Sequence, residues 1–210
     1  MKVLQRKQKM LEKNLKLRYN INVEKLRFDG FFQLDMCIYD RRKEVGIMFG
    51  VGDKIVHPMH GAGVIDSIVE EKIGHDLVQF YVFRMPVSGL TLKIPTENSE
   101  MIGIRAVSPA EEIERVLAAI PNLSVDMTTN WNHRYRENME RIKSGDLLEV
   151  SSVIKALMHR DGERGLSTGE RKMLHNAKQI LISEVVLSED VAYSDAEARV
   201  NAAMAAGESA

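Results

Sequence analysis

The stretch Ser108-Pro109-Ala110-Glu111 divides the chain into a β-rich part and an α-helical part. Serine followed by proline, with glutamate three residues after the serine, is typical of a capping box that opens a helix. Apolar Ile113, Val116 and Leu117 then recur at helical spacing until Pro121 ends the helix. Upstream of Ser108, short apolar runs separated by turn residues are typical of strands instead.

The segment 48–107 is predicted to form four or five short strands. Val64–Val69 and Leu77–Phe83 are rich in β-branched and aromatic residues, and Lys72–Asp76 between them is typical of a hairpin tip. Apolar and polar residues alternate over Leu90–Pro95, and Ile102–Val107 is predicted to close the sheet. So many strands in so short a segment predict a small, strongly bent β-barrel or half-barrel.

The segment 108–206 is predicted to be a compact all-α domain, joined to the β part with little linker. Its second helix carries Trp131, and Lys143–Asp146 ends that helix and starts the third. Two more capping-box patterns, at Ser167–Glu170 and Ser194–Glu197, predict a fourth helix and a short fifth one. The fold class is therefore α+β, with a small β-barrel followed by a helical domain.

Residues 1–47 differ from the rest, with 7 Lys and 5 Arg against 6 acids, and contain the lone Cys37. They could form a basic arm that binds nucleic acid, or they could be absent from the natural protein. Lys43-Glu44-Val45 can be encoded by AAG-GAG-GTN, the purine-rich sequence that bacterial ribosomes pair with before a start codon. We therefore favour a start at Met48, with 1–47 a read-through of the leader. The tail from Gly207 is expected to fray.

Composition excludes several classes of protein. The 210 residues carry a formal net charge of −1, so any signal for nucleic-acid binding must be local. A single cysteine excludes an internal disulfide and a multi-cysteine metal site, and fits a reducing cytoplasm. No apolar run approaches the roughly 18 residues that span a bilayer, so neither a membrane helix nor a secretory signal is expected.

Sequence motifs for catalysis or cofactor binding are lacking. His57, His60 and His75 are not spaced to converge on a metal, and no acidic ligand accompanies them. The glycine-rich Gly50–Asp53 and His60–Gly63 do not open helices, so they do not predict a phosphate cradle. No Gly-x-Ser-x-Gly elbow occurs. We expect no enzyme activity, no metal and no cofactor.

The only tryptophan, Trp131, stands at a predicted helix start among cations and amides. Arg134 has Asn138 at i+4 and no acid, so it is predicted to be free to face phosphate. Such a cluster would bind a DNA backbone, with the ring as a wedge or stacking platform. Packing of the ring in a core, with the arginines on a solvated face, is the alternative. The surrounding candidates, including a second cluster at the fourth helix, are Asn130, His133, Arg134, Arg136, Arg171 and Lys172.

Five stretches carry motifs of a known family: Val51–Gly61, Thr91–Asn98, Thr129–Asn138, Ser144–Asp146 and Arg160–Leu174. Through them, the chain from Met48 onward closely resembles the CarD/CdnL family of bacterial transcription regulators, whereas 1–47 lies outside the resemblance. The resemblance implies a Tudor-like β module that binds the β subunit of RNA polymerase. It also implies a helical domain that meets promoter DNA.

The resemblance also implies roles for single residues. In the family, the tryptophan that matches Trp131 enters the minor groove at the upstream edge of the transcription bubble and helps to hold the promoter open. Positions matching Arg134, Arg136, Arg171 and Lys172 would contact the DNA backbone. The polymerase-contacting positions would be Lys93 and Thr91 on one strand and Glu71 and Lys72 at the hairpin.

We therefore expect a cytoplasmic, monomeric transcription regulator that stabilises the open complex. The alternative is a protein-interaction adaptor whose helical domain binds another protein rather than DNA. A steep salt dependence of promoter binding would favour the first over the second.

Overall fold

The computed structural model describes residues 49–125 and 130–206. Predictions about 1–47, Met48 and the tail from Gly207 lie outside these ranges. The described chain is an antiparallel sheet followed by helices, which confirms the α+β class. Across the described ranges, no helix has both the length and the apolar character needed to cross a membrane.

The sheet contains five antiparallel strands in the order β4-β3-β2-β1-β5. The longest two, β2 and β3, form a hairpin whose register shifts between Ile65 and Ser67. The strands are β1 (Lys54–His57), β2 (Gly61–Ile73), β3 (Asp76–Arg84), β4 (Thr91–Pro95) and β5 (Arg105–Ala106).

The sheet is open, so the predicted barrel is not confirmed, and its Tudor-like character stays a prediction. Closure over Ile102–Val107 was expected, but only Arg105–Ala106 pair, and their partner is β1. The reason is local: Ser99–Ile102 forms a helical turn that ends at Gly103, whose φ of 86° is left-handed. This turn places β5 at the edge opposite β4.

One face of the sheet carries a buried core of alternate residues, as period 2 requires. Tyr81 and Phe83 on β3 are fully buried and pack with residues of β1, β2 and β4. The members of this cluster are Ile55, Ile65, Tyr81, Phe83, Met85, Ile94 and Ile104.

Five helices follow the sheet and share a second apolar core. The fourth is the longest and packs against β2 as well as against the first, third and fifth. The helices are α1 (Ala110–Ala119), α2 (Trp131–Lys143), α3 (Leu147–Arg164), α4 (Thr168–Glu189) and α5 (Tyr193–Ala205).

One of the three predicted capping boxes is confirmed. Ser167 and Glu170 exchange both expected hydrogen bonds at the start of α4. The box at Ser108 is wrong because α1 begins at Ala110 without a side-chain cap. The Ser108 backbone N–H donates instead to Glu184 Oε1 at 3.0 Å. The box at Ser194 is also wrong, since α5 already begins at Tyr193, again without a side-chain cap.

The sheet and α4 are in direct contact through polar and apolar groups. The Ala62 N–H donates to Ser183 Oγ at 2.8 Å, and Lys54 Nζ donates to the Leu187 carbonyl at 2.7 Å. Arg105 Nη2 donates to Glu184 Oε2 at 2.8 Å, and Glu184 is fully buried. The domain boundaries at 47/48 and 107/108 stay predictions, but the two parts share a tightly bonded junction.

Candidate nucleic-acid interface

The start of α2 is fixed by Asn130. Its Oδ1 accepts hydrogen bonds from the backbone N–H groups of Asn132, at 3.0 Å, and His133, at 3.2 Å. An amide at this position satisfies N–H groups that have no partner within the helix. The cap makes Trp131 the first helical residue, so its ring projects at the end of the helix.

The ring of Trp131 is held on one face and at its polar edge. It stacks on Tyr135 with ring centroids 5.4 Å apart and an interplanar angle of 26°. Its Nε1 donates to Ser167 Oγ at 3.2 Å. The residue is nevertheless 45% exposed, so the alternative of a core tryptophan does not hold.

Arg134 does not face solvent, and the prediction that it is free to contact phosphate is wrong. The residue is 2% exposed, and its Nε and Nη2 donate to Glu170 Oε1 at 2.9 and 2.7 Å. The acid comes from α4, 36 residues further along the chain. Arg134 therefore lies on the buried face of α2, together with Asn138 and Ile142.

Glu170 is the centre of this polar cluster. Its Oε2 accepts from the Ser167 backbone N–H at 3.0 Å and from the Ser167 hydroxyl at 2.8 Å, and Arg160 Nε lies 3.6 Å from its Oε1. Burial alone would raise the pKa of Glu170, but hydrogen bonds from Arg134 and Ser167, with the charge of Arg134, lower it below the ordinary value. The carboxylate is thus ionised at neutral pH and acts only as an acceptor.

The remaining predicted DNA contacts are exposed cations and imidazole. His133 and Arg136 are exposed on α2, and His133 Nδ1 lies 3.5 Å from Glu137 Oε2. Arg171 and Lys172 are exposed near the start of α4, where Arg171 Nε donates to the Leu166 carbonyl. In the parts of the chain that the structure describes, Arg136 and Lys172 form no ion pair.

A groove with a volume of about 600 Å³ runs beside Tyr135, between α2 and the start of α4. Arg171 and Lys172 line it, so the structure brings the second positive cluster to the groove that Tyr135 also lines. Its apolar lining includes three methionines, from both parts of the protein: Met59, Met139 and Met173.

The predicted polymerase-contacting residues lie on β2 and β4 of the sheet. Lys93 on β4 forms an ion pair across β3 with Glu71 on β2, so these two candidates are together. Lys72 and Thr91 are exposed. The sequence reasoning missed Ile73 and Leu77, which are 56% and 73% exposed on either side of the hairpin tip.

Ser167, Gly169 and Glu170 were also missed as parts of the site. The sequence marked them only as a helix start, whereas a Cβ on Gly169 would lie 3.7 Å from the Trp131 ring. A capping box followed directly by two cations was the signal that could have found them.

Among the described residues, no group of three or more His, Cys, Asp or Glu is arranged to hold a metal. The rings of His57 and His60 lie 4.6 Å apart. Burial and the neighbouring His60 lower the pKa of His57 to about 4, so His57 is neutral at physiological pH.

Comparison with known proteins matches both parts of the chain. Residues 49–108 match the CarD-like/TRCF RID domain, and residues 115–201 match the CarD C-terminal domain. The chain is 38% identical over 138 residues to "Putative transcription factor YdeB" of Bacillus subtilis (strain 168), an alignment that covers 66% of this chain and 90% of that protein. With both domains matched in order and this relative covered almost throughout, the chain belongs to the CarD/CdnL family of transcription regulators.

Proposed function

We propose that the protein binds the β subunit of RNA polymerase through its sheet and stabilises the promoter open complex by inserting Trp131 into the minor groove at the upstream bubble edge. The observation that carries the DNA half is a 45%-exposed tryptophan at a helix end, stacked on Tyr135, whose groove the exposed cations Arg171 and Lys172 also line. Phosphate contacts by the cations would position the protein, and the ring would fill an unstacked base step.

The energy that one ring supplies is enough for a regulator. Stacking of an aromatic side chain on a base contributes roughly 1–3 kcal/mol, and about 1.4 kcal/mol changes an equilibrium constant tenfold. Because the closed complex has no unstacked step at that place, this energy acts only on the open complex. The population shifts towards the open state by that difference in affinity.

The polymerase half of the proposal is supported by the exposed end of the sheet. Among the described residues, β4 pairs only with β3, so its outer edge is available for strand addition by a partner. Thr91 and Lys93 lie on this edge strand, and Glu71 and Lys72 belong to the neighbouring hairpin. Exposed Ile73 beside them adds an apolar surface of the kind that protein interfaces bury.

The test compares Trp131→Ala with Tyr193→Ala, which removes an exposed aromatic ring of similar exposure (43%) from α5. We expect Trp131→Ala to shorten the lifetime of the polymerase–promoter open complex about tenfold or more, because the stacking energy is lost. Binding to polymerase alone should not change. Tyr193→Ala should leave the lifetime unaltered, and an unaltered lifetime for Trp131→Ala would reject the wedge.

A second candidate function is that of an adaptor whose helical domain binds a protein. The methionine-lined groove favours it, since methionines adapt to varied protein partners. The salt dependence of binding separates the two. If the helical domain contacts DNA, replacing both Arg171 and Lys172 by Ala should reduce the slope of log K for promoter binding against the logarithm of salt concentration by about 1–2. If the helical domain binds only protein, the slope for promoter binding should stay nearly unchanged in this variant. In either case we expect a monomer that acts in the cytoplasm.

A further inference from the structure

We propose that the capping box of α4 positions the Trp131 ring for its task, with Ser167 acting directly and Glu170 and Arg134 acting through Ser167. The inference rests on the proposed function of Trp131, which it deepens. It assigns a role to three side chains that would not touch DNA themselves.

The Ser167 hydroxyl has no spare hydrogen-bonding capacity. It donates its one hydrogen to Glu170 Oε2 at 2.8 Å. Its oxygen accepts from Trp131 Nε1 at 3.2 Å and from the Glu170 backbone N–H at 3.3 Å. One donor and two acceptor sites are all that a hydroxyl offers. The carboxylate therefore sets the direction of the hydroxyl hydrogen. One of the two acceptor sites of the oxygen is occupied by the Glu170 N–H, and the other accepts from the indole.

The carboxylate that sets this direction is itself buried and hydrogen-bonded. Glu170 is 3% exposed and accepts two hydrogen bonds from Arg134, which is 2% exposed. Arg134 lies on α2, three residues after Trp131. The first turn of α2 is thus tied to the first turn of α4 at two points, through the indole and through the guanidinium. Two such contacts oppose rotation of α2 about its axis relative to α4.

The consequence for Trp131 is a preset side-chain orientation. Tyr135 supports one face of the ring, and Ser167 holds its Nε1 edge. A side chain that is already ordered loses less rotational freedom on binding, so more of its stacking energy appears as affinity. Without the cluster the ring would still be present, but it would have to be ordered at each encounter with DNA.

The first test measures the ring in the protein without DNA. Trp131 is the only tryptophan, so tryptophan fluorescence anisotropy reports on it alone. In Ser167→Ala we expect a larger fast local depolarisation and stronger quenching by acrylamide. Ser167→Thr retains a hydroxyl and should restore both. The matched control is Asp146→Ala, which removes the N-cap of α3 at the far end of α2 and should change neither.

The second test measures open-complex lifetime with the same variants. Loss of one hydrogen bond that orients the ring should shorten it about two- to tenfold in Ser167→Ala, with recovery in Ser167→Thr and no change in Asp146→Ala. Glu170→Gln, which keeps the shape of the side chain but loses its charge, should also shorten it. A circular dichroism spectrum like that of the unchanged protein shows that each variant is folded.

The outcomes separate this inference from the wedge itself. If Trp131→Ala shortens the lifetime but Ser167→Ala alters neither anisotropy nor lifetime, the positioning role is wrong and the wedge stands. A longer lifetime in Ser167→Ala would mean that the cluster restrains the ring away from DNA, which also overturns the inference. If Ser167→Ala loosens the ring while Trp131→Ala leaves the lifetime unchanged, the wedge fails and the orientation of the ring by Ser167 stands.

Discussion

Gly61, the first residue of β2, lies where the sheet touches α4, and replacing it by alanine should damage that junction. Its φ is 92°, in the left-handed region. A Cβ at this position would lie 2.4 Å from Ser183 Oγ and 3.2 Å from the Ile180 Cα. Ser183 Oγ cannot simply move aside, because it accepts from the Ala62 N–H at 2.8 Å and donates to the Ile180 carbonyl at 2.9 Å.

Three costs add in Gly61→Ala. The left-handed backbone costs about 1–2 kcal/mol for a residue with a Cβ, and overpacking against α4 costs about 1–3 kcal/mol. Displacement of Ser183 would leave the buried Ala62 N–H without its acceptor, at about 1–3 kcal/mol. We expect the free energy of unfolding to fall by about 3–8 kcal/mol, a large part of the roughly 5–15 kcal/mol typical of a folded domain.

Gly74→Ala is the matched control for this prediction. Gly74 at the hairpin tip also has a positive φ, of 65°, but a Cβ there would meet nothing within 4 Å. It should lose only the backbone cost of about 1–2 kcal/mol. Urea denaturation, followed by circular dichroism and by Trp131 fluorescence, measures both variants. Equal losses of stability in the two would show that the contact between Gly61 and α4 does not constrain the protein.

Three other changes test separate features. Lys155→Met should lower the unfolding free energy by about 2–5 kcal/mol, because Lys155 is 4% exposed and its ammonium donates to the carbonyls of Ile120, Pro121 and Leu123. Thermal denaturation measures this loss, and replacement of the exposed Lys143 by Met should change stability little. Because the pKa of Glu170 is lowered on folding, its contribution to stability is complete above the ordinary value of 4.5 and disappears as pH falls through the lowered value. Glu170→Gln should remove that part of the pH dependence of urea unfolding. The same loss of stability at acid pH in the variant as in the unchanged protein would contradict this prediction. Lys93→Glu should weaken co-purification with the polymerase β subunit, whereas Lys143→Glu should not, and equal recovery of both would reject the β4 contact.

Local patterns predicted the class of the fold and the position of the ring. The change from alternating to helical spacing near Ser108 placed the boundary between sheet and helices, because each period follows from the geometry of its element. Asn130 before Trp131 similarly marks a helix start that depends only on neighbouring residues.

What sequence could not predict depends on partners distant along the chain. Arg134 was predicted to be free because its i+4 neighbour is Asn138 and not an acid, yet Glu170 reaches it from another helix. Ser108 has the sequence of a cap, but its N–H is bound by Glu184, 76 residues away. In each instance a tertiary contact overrides a local preference, and spacing alone contains no information about it.

α4 contacts both the Trp131 ring and the sheet. Ser167 caps its first turn beside Trp131, and Ser183, sixteen residues later, binds the sheet. At about 1.5 Å per residue this is a span of about 24 Å. A single continuous helix therefore sets the distance between the contact with the sheet and the contact with the ring. It also fixes their angular phase, since adding one residue between these points would turn the ring by about 100° around the helix axis relative to the sheet.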